Sequence, residues 1–163
     1  MADQADVLRY VAPSLRALLT DLLPPTALEI RLRAGRPLAV SVLEGTRFVA
    51  ETASWSEAAS AHVVSMTEVQ QTVDIITEHS LYAWQDEMHQ GFITVPGGHR
   101  IGLAGEIEME EGRIHAFRHI SSVNLRIARS LPGIGQPVLR WLVDGMRLHS
   151  ALIIGSPGTG KTT

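Results

Sequence analysis

The chain contains no cysteine. Disulfides, thiolate metal sites and a cysteine nucleophile are excluded together, and the composition suits a cytosolic protein that needs none of them. No apolar run approaches the ~20 residues of a membrane span. Met1 to Leu23 carries Asp3, Asp6, Arg9, Arg16 and Asp21 where a signal peptide needs an apolar core. Neither sign of charge is in large excess, with 14 Lys and Arg against 17 Asp and Glu. The net charge is −3, so the chain as a whole projects no field that would gather nucleic acid. Aromatics make up only 5% of the residues, and Trp55, Trp84 and Trp141 are scattered, which suits packing rather than a platform for stacked bases. No internal repeat or low-complexity tract interrupts the chain.

What remains is a globular composition: 45% hydrophobic and 19% charged over 163 residues. That length holds one domain plus a fragment of another, and a domain of ~150 residues can bury ~70% of its unfolded surface. Val7, Leu8, Val11, Leu15, Leu18, Leu19 and Leu22 recur at helical spacing. Pro13 divides them into two short helices and opens the second, and Pro24-Pro25 stops it. "LEIRLR" from Leu28, the turn "AGRP" and the run "LAVSV" read as a hairpin, with a third strand at residues 47–50. Residues 51–64 show no period and are left as a connection. A capping box at Ser65…Glu68 or Thr67…Gln70 starts a helix bearing Val69, Val73 and Ile76. Ser80 caps a further one bearing Leu81, Trp84 and Met88 and ending at Gly91. From Phe92 the pattern turns to strands, "FITV", "RIGLAGEIEM", "IHAF" and "VNLRIAR", in an antiparallel meander. "LPGIGQP" is a linker, "VLRWLVDGM" a short helix and "SALII" a strand.

That last strand runs into Gly155-Ser156-Pro157-Gly158-Thr159-Gly160-Lys161-Thr162, which satisfies G-x-x-x-x-G-K-[ST] at every fixed position, with Thr163 after it. In such a loop the glycines let backbone N–H groups converge on phosphate oxygens. Lys161 neutralises the β and γ charges, and the Thr162 hydroxyl ligates Mg²⁺. ATP and Mg²⁺ are therefore the expected cofactors. The helix whose N-terminus such a loop wraps would begin near Lys161, and the acidic magnesium ligand of a later strand does not follow. These 163 residues alone are expected not to hydrolyse ATP. A parallel-sheet strand without its sheet also has unpaired edges.

The runs "LEIRLRAGRPL", "ITEHSLYAWQDEMHQGFITVPGGHRIGLAGE", "ISSVNLRIAR" and "LIIGSPGTGKTT" resemble the stage III sporulation protein AA family, in order from about Leu28 to Thr163. The resemblance implies an α+β N-terminal domain of short helices and antiparallel sheet before a RecA-like or AAA-type α/β motor, similar to the ring-forming ATPases of secretion systems. The expected divisions are residues 1–130 for the first domain, 131–149 for a linker and short helix, and 150–163 for the start of the ATPase domain. It further implies an ATPase on the mother-cell side of a channel to the forespore: cytoplasmic, peripheral at the membrane, a homo-oligomer and in the intact protein a hexamer, with membrane-channel sporulation proteins as partners. In such motors arginines of the N-terminal domain reach the nucleotide. Arg126 and Arg129 of "NLRIAR" are the candidates here, with Arg100 of "GGHR" behind them, since a guanidinium stays charged and makes forked bonds to phosphate.

Other polar groups read more plainly. Arg31, Arg33 and Arg36 suit a structural or subunit-contact role. Glycines 91, 97, 98, 102 and 105 mark turns, bulges or close approaches. His115 and His119 are four apart on a strand, without the carboxylate or thiolate set of a metal site. Glu106, Glu108, Glu110 and Glu111 form a solvated edge. A rival class of function is an assembly or RNA-binding regulatory module of an AAA-type ATPase. The acidic balance counts against a nucleic-acid partner.

Overall fold

The computed structural model describes residues 4–80, 84, 87, 91–110, 113–128, 133 and 135–155. The chain divides into two compact units, Met1–Ala128 and Arg129–Thr163.

The first unit is an α+β domain with a mostly antiparallel sheet. Helix α1 (Gln4–Val7) runs into a 3₁₀ turn at Leu8–Tyr10, and α2 spans Pro13–Leu19. Pro13 stands in the first turn of α2, where its missing N–H removes no helical bond. Strands β1 (Ala27–Arg33), β2 (Arg36–Pro37), β3 (Ala39–Val42), β4 (Gly45–Val49), β5 (Trp55–Ser56) and β6 (Val63–Val64) follow. Then come α3 (Met66–Ile76), β7 (Phe92–Val95), β8 (His99–Glu110) and β9 (Arg113–Arg126). Seven strands make one sheet in the order β5-β4-β3-β1-β9-β8-β7, while β2 pairs with β6 separately.

Two differences from the sequence reading have simple causes. The connection at 51–64 holds β5, a 3₁₀ turn at Ala58–Ser60 and β6, elements too short to carry a hydrophobic period. "IHAF" and "VNLRIAR" lie on one 14-residue strand, β9, whose register against β8 shifts at Ala104/Gly105, Glu106/Ile107 and Glu108/Met109, so that its alternation is broken by bulges. At the first shift the backbones approach so closely that a Cβ on Gly105 would overlap the His119 carbonyl.

Alternation along β1 sends Ile30 and Leu32 into the core while Glu29, Arg31 and Arg33 point the other way. Ile30, Leu32, Val40, Ile93, Ile101, Val123 and Leu125 form the buried face of the sheet. Against it lie Val7, Val11, Leu15 and Leu19 of the N-terminal helices and Val69, Val73 and Ile76 of α3. Burying each large aliphatic side chain contributes about 1.5–3 kcal/mol. The capping box that starts α3 is the Ser65…Glu68 alternative: Ser65 Oγ accepts from the Glu68 N–H, and the Glu68 carboxylate accepts from the Ser65 N–H. The expected helix from Ser80 to Gly91 lies almost wholly outside the described residues.

In the second unit, α4 (Gln136–Leu142) is followed by a small hairpin of β10 (Val143–Asp144) and β11 (Arg147–Leu148). The expected strand "SALII" is absent: residues 150–154 belong to no strand, and Leu152 and Ile154 are both 84% exposed. Among the described residues of this unit none offers the parallel neighbours such a strand needs. Among the described residues no helix is long and apolar enough to cross a membrane.

Candidate functional site

The outward face of the sheet is basic, although the chain is acidic. Because β9 docks between β1 and β8, Cα partners run in a row from Ser41 through Glu29 and Arg126 to Arg100 and Thr94. The next row on the same face is Phe48, Ala39, Arg31, Asn124, Gly102 and Phe92. Across the rows that β1 crosses, four guanidinium groups, Arg31, Arg33, Arg100 and Arg126, thus share a face with one carboxylate, Glu29. That carboxylate is already engaged, 2.7 Å from Arg31 Nε.

Arg100 and Arg126 are therefore cross-strand neighbours of like charge, an arrangement that costs stability unless an anion relieves it. Both are exposed. Arg100 lies over the Phe92 ring, its Cζ 5.2 Å from the centroid, and Arg126 has no ion-pair partner among the described residues. Two adjacent, uncompensated guanidinium groups can hold a polyanion through forked hydrogen bonds. At the other end of β1, Arg31, Arg33 and Arg36 line a groove of about 490 Å³ with Pro37, Ala39, Thr46 and Phe48. Arg129 and residues 156–163 of the phosphate loop lie outside the described residues, and Gly155, which is described, is exposed.

Sequence reasoning missed His99. It is fully buried on the core side of β8, and its Nδ1 accepts the Ala128 N–H at 3.1 Å, tying down the end of the strand that carries Arg126. The only local signal was its place directly after the Pro96-Gly97-Gly98 turn. Burial holds the His99 pKa below its ordinary 6.5, with Asp6 opposing weakly. The neutral ring is the folded form, so its contribution is present above about pH 6.5 and lost as pH falls through the lower folded value. Replacing His99 by leucine is expected to cost about 1–2 kcal/mol by orphaning the Ala128 N–H, and to flatten the pH dependence of urea unfolding between neutral and mildly acidic pH.

A family model for sporulation stage III, protein AA, matches residues 1–163. The chain belongs to the stage III sporulation protein AA family. Stage III sporulation protein AA of Bacillus subtilis (strain 168) is 36% identical over 135 residues, covering 83% of this chain and 40% of that protein. This member thus spans about two-fifths of the length of its curated relative. Among solved structures, the VirB11 ATPase from the Brucella suis type IV secretion system, in complex with sulphate, is weakly similar. It is 16% identical with a TM-score of 0.36, over 89% of this chain and 39% of that one.

Proposed function

We propose that this stage III sporulation protein AA chain is the N-terminal, nucleotide-sensing part of a P-loop ATPase, which binds and hydrolyses ATP to power or assemble a channel between mother cell and forespore. The observation that carries the reading is the pairing of Arg126 with Arg100 on an uncompensated basic face, in a chain that also holds a complete phosphate-loop motif. Lysine supports it too: the chain's 14 Lys and Arg residues include a single lysine, and it is Lys161. A chain that uses arginine everywhere else has its compact ammonium at the one position where the motif requires it.

ATP·Mg²⁺ supplies the phosphoryl group and the charge neutralisation when bound. Gly155 to Gly160 would hold the phosphates through backbone N–H groups, Lys161 would neutralise the β and γ oxygens, and Thr162 would contribute a magnesium ligand. Arg126, with Arg129 beyond it, would reach the γ-phosphate from the N-terminal domain. Hydrolysis would then be felt as a change in how that domain sits on the motor, within a homo-oligomeric ring taken to be a hexamer. The exposed apolar side chains of the second unit, among them Trp141, Met146, Leu148, Leu152 and Ile154, fit a surface that the remaining motor or a membrane-channel partner covers. Docking of this kind, on the cytoplasmic side of the mother-cell membrane, is the role proposed for the 163 residues by themselves.

The decisive experiment is steady-state ATP turnover by the protein extended through a complete ATPase domain. Arg126→Ala is expected to lower kcat by about tenfold to a thousandfold, with Arg100→Ala weaker, because a guanidinium that meets the transferring phosphoryl group acts mainly in the transition state. An Arg126→Ala enzyme with unchanged kcat would remove Arg126 from the nucleotide site.

A further inference from the structure

The groove at the Arg33 end of β1 has a matching shape and charge elsewhere in the same unit. Strand β1 pairs with β9 only over Ser122–Arg126, and β7 pairs with β8 only over His99–Gly102. Beyond those limits β8 and β9 continue as a two-stranded ribbon that no other strand among the described residues flanks. It leaves the sheet at the Gly105 bulge. A lone ribbon is marginal in water, and this one exposes Ile107 at 42% and Met109 at 57% beside the exposed carboxylates Glu106 and Glu108. Glu108 is held 3.0 Å from Arg118 Nε, and Glu106 has no partner among the described residues.

The groove is the complement of that ribbon. Arg33 and Arg36 are exposed and have no ion-pair partner among the described residues, and Arg31 has only Glu29. Pro37, Ala39 and Phe48 supply an apolar floor. None of the ribbon's described side chains lines the groove. We infer that the acidic-apolar β8–β9 ribbon of one copy docks into the Arg31/Arg33/Arg36 groove of a second copy. Glu106 and Glu108, alternate residues on one face of β8, meet the guanidinium groups, Glu108 exchanging its Arg118 contact for them. Opposite charges across such a contact fix its register and exclude wrong pairings. This rests on the oligomeric part of the proposed function and names the contact that would build it.

A charge-reversal exchange tests it on the 163-residue chain by sedimentation equilibrium. One variant carries Arg33→Glu and Arg36→Glu, the other Glu106→Lys and Glu108→Lys. All four positions are exposed, and far-ultraviolet circular dichroism checks that each variant folds. The wild-type chain is expected to self-associate more weakly as salt rises. Each variant alone, with like charges facing, should raise the dissociation constant at least about tenfold. Mixing the two variants should restore association to within about threefold of wild type, because ribbon and groove are again opposite in sign in both directions. Self-association that ignores both reversals overturns this contact while leaving an oligomer built by other surfaces intact. Loss in the arginine variant that the lysine variant neither reproduces nor rescues gives the groove a different occupant and overturns the ribbon's role. A chain that stays monomeric to about 100 μM overturns the contact outright.

Discussion

Replacing Lys161 by alanine in the protein extended through a complete ATPase domain is expected to lower ATP turnover by about a hundredfold to a thousandfold, the usual consequence of removing one preorganised charge from a transferring phosphoryl group. Weaker nucleotide binding should accompany it, because the ammonium contacts the β and γ oxygens in the ground state as well as in the transition state. The contrast with Arg126→Ala is the informative part. On the proposed function Lys161 belongs to the loop that would bind nucleotide, so its loss should raise KM and lower kcat together. Arg126 stands on a separate unit, so its loss should fall mainly on kcat. Lys161→Arg should rescue poorly, since a planar fork does not replace a compact charge among converging backbone N–H groups. Unchanged turnover in the alanine variant would refute the assignment of the phosphate loop. The 163-residue chain, measured beside it, should show neither tight ATP·Mg²⁺ binding nor turnover. Tight, Lys161-dependent binding by that chain would mean that the loop is organised without the rest of an α/β sheet.

Much of the first unit could be read along the chain because its signals are local. Pro13 breaks one helical stripe into two, Ser65 and Glu68 write a capping box, and β1 alternates Leu28, Glu29, Ile30, Arg31, Leu32 and Arg33 at the strand period. The pairing of β1 with β9 was not local. Nearly a hundred residues of chain separate Glu29 from Arg126, and nothing in either segment names the other as its neighbour. The basic face depends on that one pairing: it sets Arg126 between Glu29 and Arg100, and it aligns Asn124 with Arg31. The arginines were therefore visible as candidates singly, by motif and resemblance, but their convergence was not. His99 escaped for a related reason. A buried histidine has no periodic signature, and its partner is a backbone N–H supplied by the far end of β9. The turn from "RIGLAGEIEM" to "IHAF" was legible, but three register shifts broke the alternation that would have shown "IHAF" and "VNLRIAR" as one continuous strand.

The largest single loss of stability from a polar substitution is expected at Glu68. It is 8% exposed, and its carboxylate gathers three separate segments. It accepts from the Ser14 hydroxyl of α2 at 2.8 Å, from the Ser65 N–H at 2.8 Å and hydroxyl at 3.0 Å, and it lies 3.1 Å from His62 Nε2 in the loop before α3. Thr72, one turn further along α3, accepts the Ala12 N–H at 3.1 Å, so α3 secures the start of α2 through both side chains. Glu68→Ala would remove half of the capping box and leave the Ser65 N–H and the part-buried Ser14 hydroxyl without this acceptor. The expected cost is about 2–4 kcal/mol, read as a lower urea midpoint with unchanged slope. Glu68→Gln keeps an acceptor oxygen and the capping geometry and should cost about 1 kcal/mol. The two variants also differ from wild type in acid. Burial, the largest single influence, raises the Glu68 pKa, but the hydrogen bonds from Ser65, His62 and Ser14 together outweigh it and hold the carboxyl below its ordinary 4.5. A depressed carboxylate stabilises the fold above its unfolded pKa, and that contribution fades as pH falls from about 4.5 through the lower folded value. Wild type should therefore lose stability more steeply than Glu68→Gln across that acid window. Parallel pH profiles for the two would show that Glu68 holds its neighbours by shape and not by charge.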